Sequence, residues 1–554
     1  MKDLKNIFNI LIIMGLILIN FSCQNENQTA DLIITDAKIW TGNIDQPWAK
    51  ALAVKSDTIM AVGSNEDILR LKGEITQVLN MQDKFVAPGF IDSHLHFLTG
   101  GLNLSSVQLR DANTREEFIS RIAEYAKTVK PGTWILGGDW DHTLWGGTLP
   151  DKEWIDKFTP ENPVFVTRLD GHMSLANSLA IKLAGIKEEI KDIAGGTIVR
   201  NSSGKLTGIF KENAASVIEN KIPPASDEQT DQALIKAMSY VASNGVTSVH
   251  HMGGYVNAIE RARDNHSLIT RIYAMTSVEN WKELKEKIKK DGAGDKWLKI
   301  GGVKGFVDGS LGSHTAAMLA PFADSPKDSG FFVNTEDDLY KWTLNADKEG
   351  LQVMIHAIGD RAIRYLLDMY DSVANENGQR DRRFRIEHAQ HIAPDDIARF
   401  SRSHIIASMQ PYHLIDDGRW AEKVIGSERM KTTYAFKSLF DCGATLTFGS
   451  DWFVAPPTPL EGIYSAVTRR TLDNKNPDGW VPEQKITVEQ ALMAYTKNGA
   501  YASFEENIKG TLEPGKLADF VVISEDLTTI DPIKIREAKI LQTYVGGKKV
   551  YDSN

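Results

Sequence analysis

Cysteine is almost missing from this chain: its 554 residues hold only Cys23 and Cys442. If Cys23 is taken up by N-terminal processing, no intrachain disulfide is left and the fold must stand on burial alone. Cys442, in "FDCGATLTF", has no flanking pattern of a nucleophile and is expected to be a small buried hydrophobe. Basic charge is also scarce. Lys plus Arg number 63 against 73 Asp plus Glu, a net charge of -10. No basic cluster is rich enough to neutralise a phosphate backbone, which excludes nucleic acid as the partner. The chain has no G-x-S-x-G elbow, which argues against a serine hydrolase. Walker A and dinucleotide glycine fingerprints are missing too, which argues against a nucleotide-dependent enzyme. Repeats of solenoid period and low-complexity tracts are not found. What remains is 42% hydrophobic and 25% charged, an ordinary globular composition long enough for a large core and a satellite domain.

The first 22 residues read as an export signal. Lys2 and Lys5 precede the apolar stretch "IFNILIIMGLILINF", which ends at Ser22-Cys23 before the polar run "QNENQTAD". A small residue followed by Cys resembles a bacterial lipoprotein processing site. Cys23 would then be the lipidated N-terminus and residues 23–30 a tether, although Asn20 stands where a leucine-like residue is usual. The alternative is an uncleaved membrane anchor. Either way the body is expected outside the cytoplasm, facing the periplasm or the cell surface.

Short alternating runs broken by turns, such as "DLIITDAKIWTG" and "AKALAVKSDTIMAVG", predict β-strands from 31 to about 85. The same texture returns in "GTLEPGKLADFVVISED" and "LQTYVGGKKVYDSN". Residues 31–85 and 508–554 are therefore read as one small β-sandwich domain closed by both termini. Between them, amphipathic helical segments alternate with short apolar strands ending in polar residues. Examples are "DQALIKAMSYVASNG" before "VTSVHHMGG" and "EDDLYKWTLNADKEG" before "LQVMIHAIGD". This α/β pattern over 86–507 predicts a (β/α)8 TIM-type barrel. The stretch from about 105 to 240 has more elements than one barrel unit needs, among them a hairpin at "GTIVRNSSGKLTGIF". It is read as an insertion near the barrel mouth.

Barrel enzymes carry their chemistry where strands end. "GFIDSHLHF" places His94 and His96 on one face of a strand, roughly 6–7 Å apart, with Leu95 turned the other way. "GGVKGFVDGS" carries Lys304, "QVMIHAIGD" ends in His356, "FRIEHAQ" carries His388 and "TLTFGSDW" ends in Asp451. Imidazole and carboxylate are the ligands that zinc and similar divalent ions take. The bland alternatives are core histidines, a Lys304 paired with Asp308, and an Asp451 that only caps a helix.

The order of these residues, with "PGFIDSHLH", "KGFVDGSLGSHTAAM", "HAIGDRA", "RIEHAQ", "SMQPYH" and "GSDW", resembles the amidohydrolase superfamily. Within it, the branch that is similar is amidohydrolase family 3, which includes N-substituted formamide deformylase. The resemblance spans roughly residues 31 to 550. It implies a metal-dependent hydrolase that cleaves a C–N bond of a non-peptide amide, such as an N-substituted formamide or related N-acyl compound. The attacking group would be a metal-activated hydroxide, with Asp451 as general base and then acid. It also implies one or two divalent ions, zinc first among them. His94, His96 and Asp451 would hold one, and His356 and His388 the second. Lys304, N-carboxylated, would bridge the two sites.

The same resemblance brings "RLDGHMSLANS" toward the substrate, with Asp170 as a contact and His172 as a further catalytic group that hydrogen-bonds the carbonyl. Gln410, His413 and Trp140 are expected as pocket lining, beside Asp141 and Trp145. His250 and His251 are adjacent, so at most one can face the site, and no acid is found there. The expected partners are a small-molecule substrate and the membrane through the lipid, with a homodimer left open. The competing readings are an exported binding protein that keeps the barrel without turnover, and a hydrolase of a cyclic amide or ester.

Overall fold

The computed structural model describes residues 29–553; the signal peptide, Cys23 and most of the tether lie outside the described residues. Eight parallel strands make the central sheet in chain order. They are β1 (Phe90–Leu95), β2 (Val246–His251), β3 (Arg271–Ser277), β4 (Leu298–Phe306), β5 (Gln352–Ala357), β6 (Arg385–His388), β7 (Ile406–Met409) and β8 (Leu446–Phe448). Their apolar runs are buried on both faces, as parallel strands under helices must be: all six residues of β5 are buried. The ring closes at its C-terminal rim. Asp451 N–H donates to the His94 carbonyl at 2.6 Å and His96 N–H to the Trp452 carbonyl at 2.6 Å. A Cβ at Gly449 would lie 2.5 Å from the His94 nitrogen, so only glycine lets β8 come this near β1.

The helices that cover the barrel follow from their sequences. Asp227–Ser243 starts at a capping box, Ser226 with Gln229. It buries Ala233, Leu234, Ala237, Met238, Val241 and Ala242 along one face. Glu336–Lys348 is capped by the Thr335 side chain and leads into β5. Among the described residues no helix is long and apolar enough to cross a membrane.

The small domain is a sandwich of two sheets. One is four-stranded, from Ala30–Thr35, Ala51–Lys55, Thr58–Gly63 and Lys72–Asn80; the other joins Lys38–Trp40, Trp48–Ala49 and Phe85–Pro88 to Phe520–Ile523, Ile540–Val545 and Lys548–Asp552. Leu32, Ile34, Leu52 and Val54 pack against Val86, Phe520, Val522 and Tyr544 between them. Phe85–Pro88 pairs antiparallel with Phe520–Ile523, so this domain runs to Pro88 rather than ending at 85.

The insertion has a six-stranded sheet of its own, drawn from strands between Val107 and Glu212, with a core around Phe118, Trp140 and Leu175. Its hairpin pairs Gly196–Arg200 with Leu206–Glu212. It stops short of 240, because Asp227–Ser243 spends its apolar face on the barrel. Cys442 is a half-buried free thiol rather than a fully buried one, set over the Leu439 carbonyl at 3.2 Å.

Candidate metal centre and active site

Strand ends bring the chemistry together. His94 is completely buried near the end of β1. His96, the first residue beyond that strand, is a quarter exposed on the same side, and the two ring centroids are 6.0 Å apart. Leu95 between them is buried in the core. Asp451, three residues beyond β8, puts Oδ1 3.4 Å from the Nε2 of each imidazole. His388 closes β6, with its ring 4.9 Å from that of His94. His94, His388 and Asp451 offer ligand atoms within 4.8 Å of one another. Lys304, buried on β4, sets Nζ 3.5 Å from His94 Nε2.

His388 and Asp451 adopt φ values of 70° and 58°, and Ala389 one of 44°. These left-handed conformations cost non-glycine residues about 1–3 kcal/mol each and collect at functional sites.

The grouping differs in one respect from two separate metal pairs. His388 sits with His94 and Asp451. His356, although 4.4 Å ring to ring from His388, turns Nε2 to the Gly309 carbonyl at 3.1 Å. Lys304 does not pair with Asp308. That carboxyl instead accepts the backbone N–H groups of Ala317, Ile358 and Gly359.

The donor set fits a divalent metal on two counts. Asp451 Oδ1 and His388 Nδ1 are buried with no hydrogen-bond partner, a state that a bound cation relieves. His356 and His388 are also kept neutral. Burial, with Lys304's charge behind it, pushes His356 down to about 3, and burial holds His388 well below its usual value. Burial lowers Lys304 to about 8, near enough to neutrality for its amine to react.

A carboxylate missed at the level of sequence stands behind the ligands. Glu387, fully buried on β6, accepts from His94 Nδ1 and pairs with Arg385 at 2.7 Å. Burial alone would raise its pKa, but the charge of Arg385 and the hydrogen bond from His94 hold it at about 2. Arg385 and Glu387 are two apart on a strand and so share a face, and that spacing was the available signal. Arg385 also bonds His250 Nδ1 at 2.9 Å. His250 therefore belongs to the barrel interior. His251 is tied to Phe97 N–H at 3.1 Å and the Gly254 carbonyl at 2.7 Å, so neither of the pair reaches the site.

A cavity of about 280 Å³ opens from the candidate metal ligands, and the insertion supplies one of its walls through Asp141, Arg168, Asp170 and His172. His172 Nδ1 lies 3.0 Å from Glu212 Oε2, on the hairpin of the insertion. Burial works against the imidazolium, but Glu212 and Asp170 outweigh it and raise the His172 pKa. Glu212 gave no motif to read, since its partner lies 40 residues away on another strand. His413 lines the cavity with an unpartnered Nε2. Trp140 does not. It is wholly buried in the insertion core, its indole N–H on the Val166 carbonyl at 2.9 Å. Trp145 packs against that same core. Gln410 is buried and is not part of the cavity lining; its amide donates to the Ser408 carbonyl at 3.4 Å.

Known proteins are similar to this chain over nearly its whole length. The model described as "Amidohydrolase family", of the family 3 branch, matches residues 77–551. This chain belongs to the amidohydrolase family. Among its relatives is "Protein LONG AFTER FAR-RED 3" of Arabidopsis thaliana, 41% identical over 94% of this chain and 92% of that protein. Another is an N-substituted formamide deformylase of Arthrobacter pascens, 25% identical over 95% of this chain and 99% of that one. An uncharacterized metal-dependent hydrolase from Pyrococcus furiosus has a crystal structure that overlays with a TM-score of 0.73 at 28% identity. It covers 91% of this chain and all of its own. The barrel and the amidohydrolase family thus agree, and the donors gathered at the strand ends could hold a metal ion.

Proposed function

We propose that this amidohydrolase cleaves the C–N bond of a small non-peptide amide, with N-substituted formamides and related N-acyl compounds as the substrate class. The convergence of His94, His388 and Asp451 at the mouth of the barrel, with Lys304 beside them, carries this reading. One or two zinc ions or similar divalent metals bound there would supply Lewis acidity toward the amide carbonyl and acidify a water. Asp451, in reach of both His94 and His96, accepts the proton of the attacking water and returns it to the departing nitrogen. His172, its Nδ1 held by Glu212, keeps Nε2 for the substrate carbonyl. Lys304, were its neutral amine to add carbon dioxide and release a proton, would offer an anionic ligand beside His94.

We further propose that the chain works outside the cytoplasm, anchored to the membrane by a lipid on Cys23. Mass spectrometry of the N-terminus tests that point, and an unmodified Met1 would remove it.

Metal analysis of the purified protein, followed by a screen of N-formyl, N-acyl and cyclic amides and esters, tests the reaction. A fully metallated protein that binds some of these and hydrolyses none would favour a second reading, a barrel that binds without turnover. One observation supports that reading: the relative at 41% identity carries a name that states no chemistry.

A further inference from the structure

Apart from the candidate metal ligands, the lining of the cavity carries four carboxyl groups, Asp141, Asp170, Asp416 and Asp417, against two guanidinium groups, Arg168 and Arg419. Neither guanidinium is free. Arg168 donates to Asp170 at 2.5 Å and to Asp141 at 3.3 Å, and its Nε points at His142 Nδ1 at 3.4 Å. Arg419 is ion-paired with Asp416, and its Nε donates to the Asp416 carbonyl at 3.0 Å. The third positive group of this wall, His172, is taken by Glu212.

Burial pushes Asp417 up to about 7, and it accepts from Tyr434 and Gln390, each at 2.7 Å. Even with that carboxyl protonated, three carboxylates face two guanidiniums. An aromatic ring completes the wall: a methyl group built on Gly312 would lie 3.6 Å from the Trp420 ring, 3.6 Å from Arg168 and 3.7 Å from Asp170. Aromatic faces beside carboxylates stabilise ammonium groups and tolerate neutral ones. A substrate carboxylate entering here would have to break an existing ion pair and then sit among its neighbours' negative charge.

We infer that the cavity selects by charge, accepting amides whose distal group is neutral or ammonium-bearing and rejecting those that end in a carboxylate. This rests on the hydrolase reading above and adds to it the class of substrate.

The test uses the metal-loaded full chain and three N-formyl amines of one chain length, ending in methyl, ammonium and carboxylate. Each is assayed for kcat/KM and for binding by calorimetry. The carboxylate-ended compound should be at least tenfold poorer in kcat/KM than the other two. Asp416→Asn, which releases Arg419, should improve it several-fold while weakening the ammonium-ended one. If none of the three is hydrolysed but calorimetry keeps this order, the hydrolase reading fails and the charge selection stands. A carboxylate-ended compound that is bound or cleaved as well as the neutral one overturns the inference, as does a panel in which nothing binds. The wild-type ranking decides the matter if the variant proves unstable.

Discussion

Glu387→Gln should strip the protein of metal without touching a ligand. In the native site Glu387 is an acceptor only, so His94 must carry its proton on Nδ1 and leave the Nε2 lone pair toward Asp451 and Lys304. A glutamine in the same place can turn its amide N–H toward His94. The imidazole then accepts at Nδ1, its proton moves to Nε2, and the ligand lone pair is lost. Groups that orient a metal-binding histidine are worth about 10–100-fold in metal affinity, or roughly 1.4–2.7 kcal/mol. The same change takes the counter-charge from Arg385, which is fully buried. Breaking a buried pair from one side costs about 3–5 kcal/mol. The lower end applies here, because Arg385 keeps the Ser93 carbonyl at 2.5 Å and the Ser408 hydroxyl at 2.9 Å. Chelator competition with zinc gives the affinity, and urea unfolding of the metal-free protein gives the stability. A Glu387→Gln variant that holds zinc as tightly as wild type would refute the tautomer argument. One that loses stability but not affinity would leave Glu387 as a packing residue only.

Three other perturbations have definite outcomes. Asp451→Asn keeps an oxygen at the ligand position but removes the base, so metal content should be largely kept while kcat falls on the order of a hundredfold or more; near wild-type turnover would move the proton-transfer role to another group such as His172. Lys304→Ala should lose metal and activity together, with partial recovery on adding short carboxylic acids, and two full equivalents of metal in that variant would rule out the bridge. His251, held neutral at about 4 by burial, has a folded pKa below its ordinary 6.5. Its contribution is therefore complete above about pH 6.5 and is lost as pH falls toward 4, to the extent of about 3 kcal/mol. The stability lost between pH 7 and pH 4.5, read from urea unfolding, should shrink by about 2–3 kcal/mol in His251→Gln, the other buried imidazoles keeping their share, and an unchanged acid loss would show that this imidazole does not contribute.

The barrel was legible because its two signals are strong and local. Apolar runs such as "QVMIHA" end in a polar residue, and capped amphipathic helices such as Asp227–Ser243 separate them. The pairing of the two chain ends in one sandwich was legible from texture. The sheet of the insertion was not, since Val107–Gln108 spans two residues and Gly137–Trp140 begins with two glycines, too little for any alternation to register. Trp140 was misplaced for a related reason: an aromatic beside glycines suits a pocket wall and a core equally, and only the contacts of Phe118 and Val166 decide. Glu387 and Glu212 act through partners far along the chain. One lies 293 residues from His94, the other 40 from His172, and no spacing rule joins such pairs.

The seam that closes the barrel has a consequence for biosynthesis. The bonds from Asp451 to the His94 carbonyl and from His96 to the Trp452 carbonyl join the first barrel strand to the last, and His94 and Asp451 are two of the three residues whose donors could hold a metal ion. A ribosome must therefore have translated past residue 452 before the ligand set can exist at all. A nascent chain carries the His94 and His96 pair through most of its synthesis with nothing to complete it. The full set of candidate donors can form only once β8 is in place, and a product truncated anywhere before β8 would leave the ribosome without it.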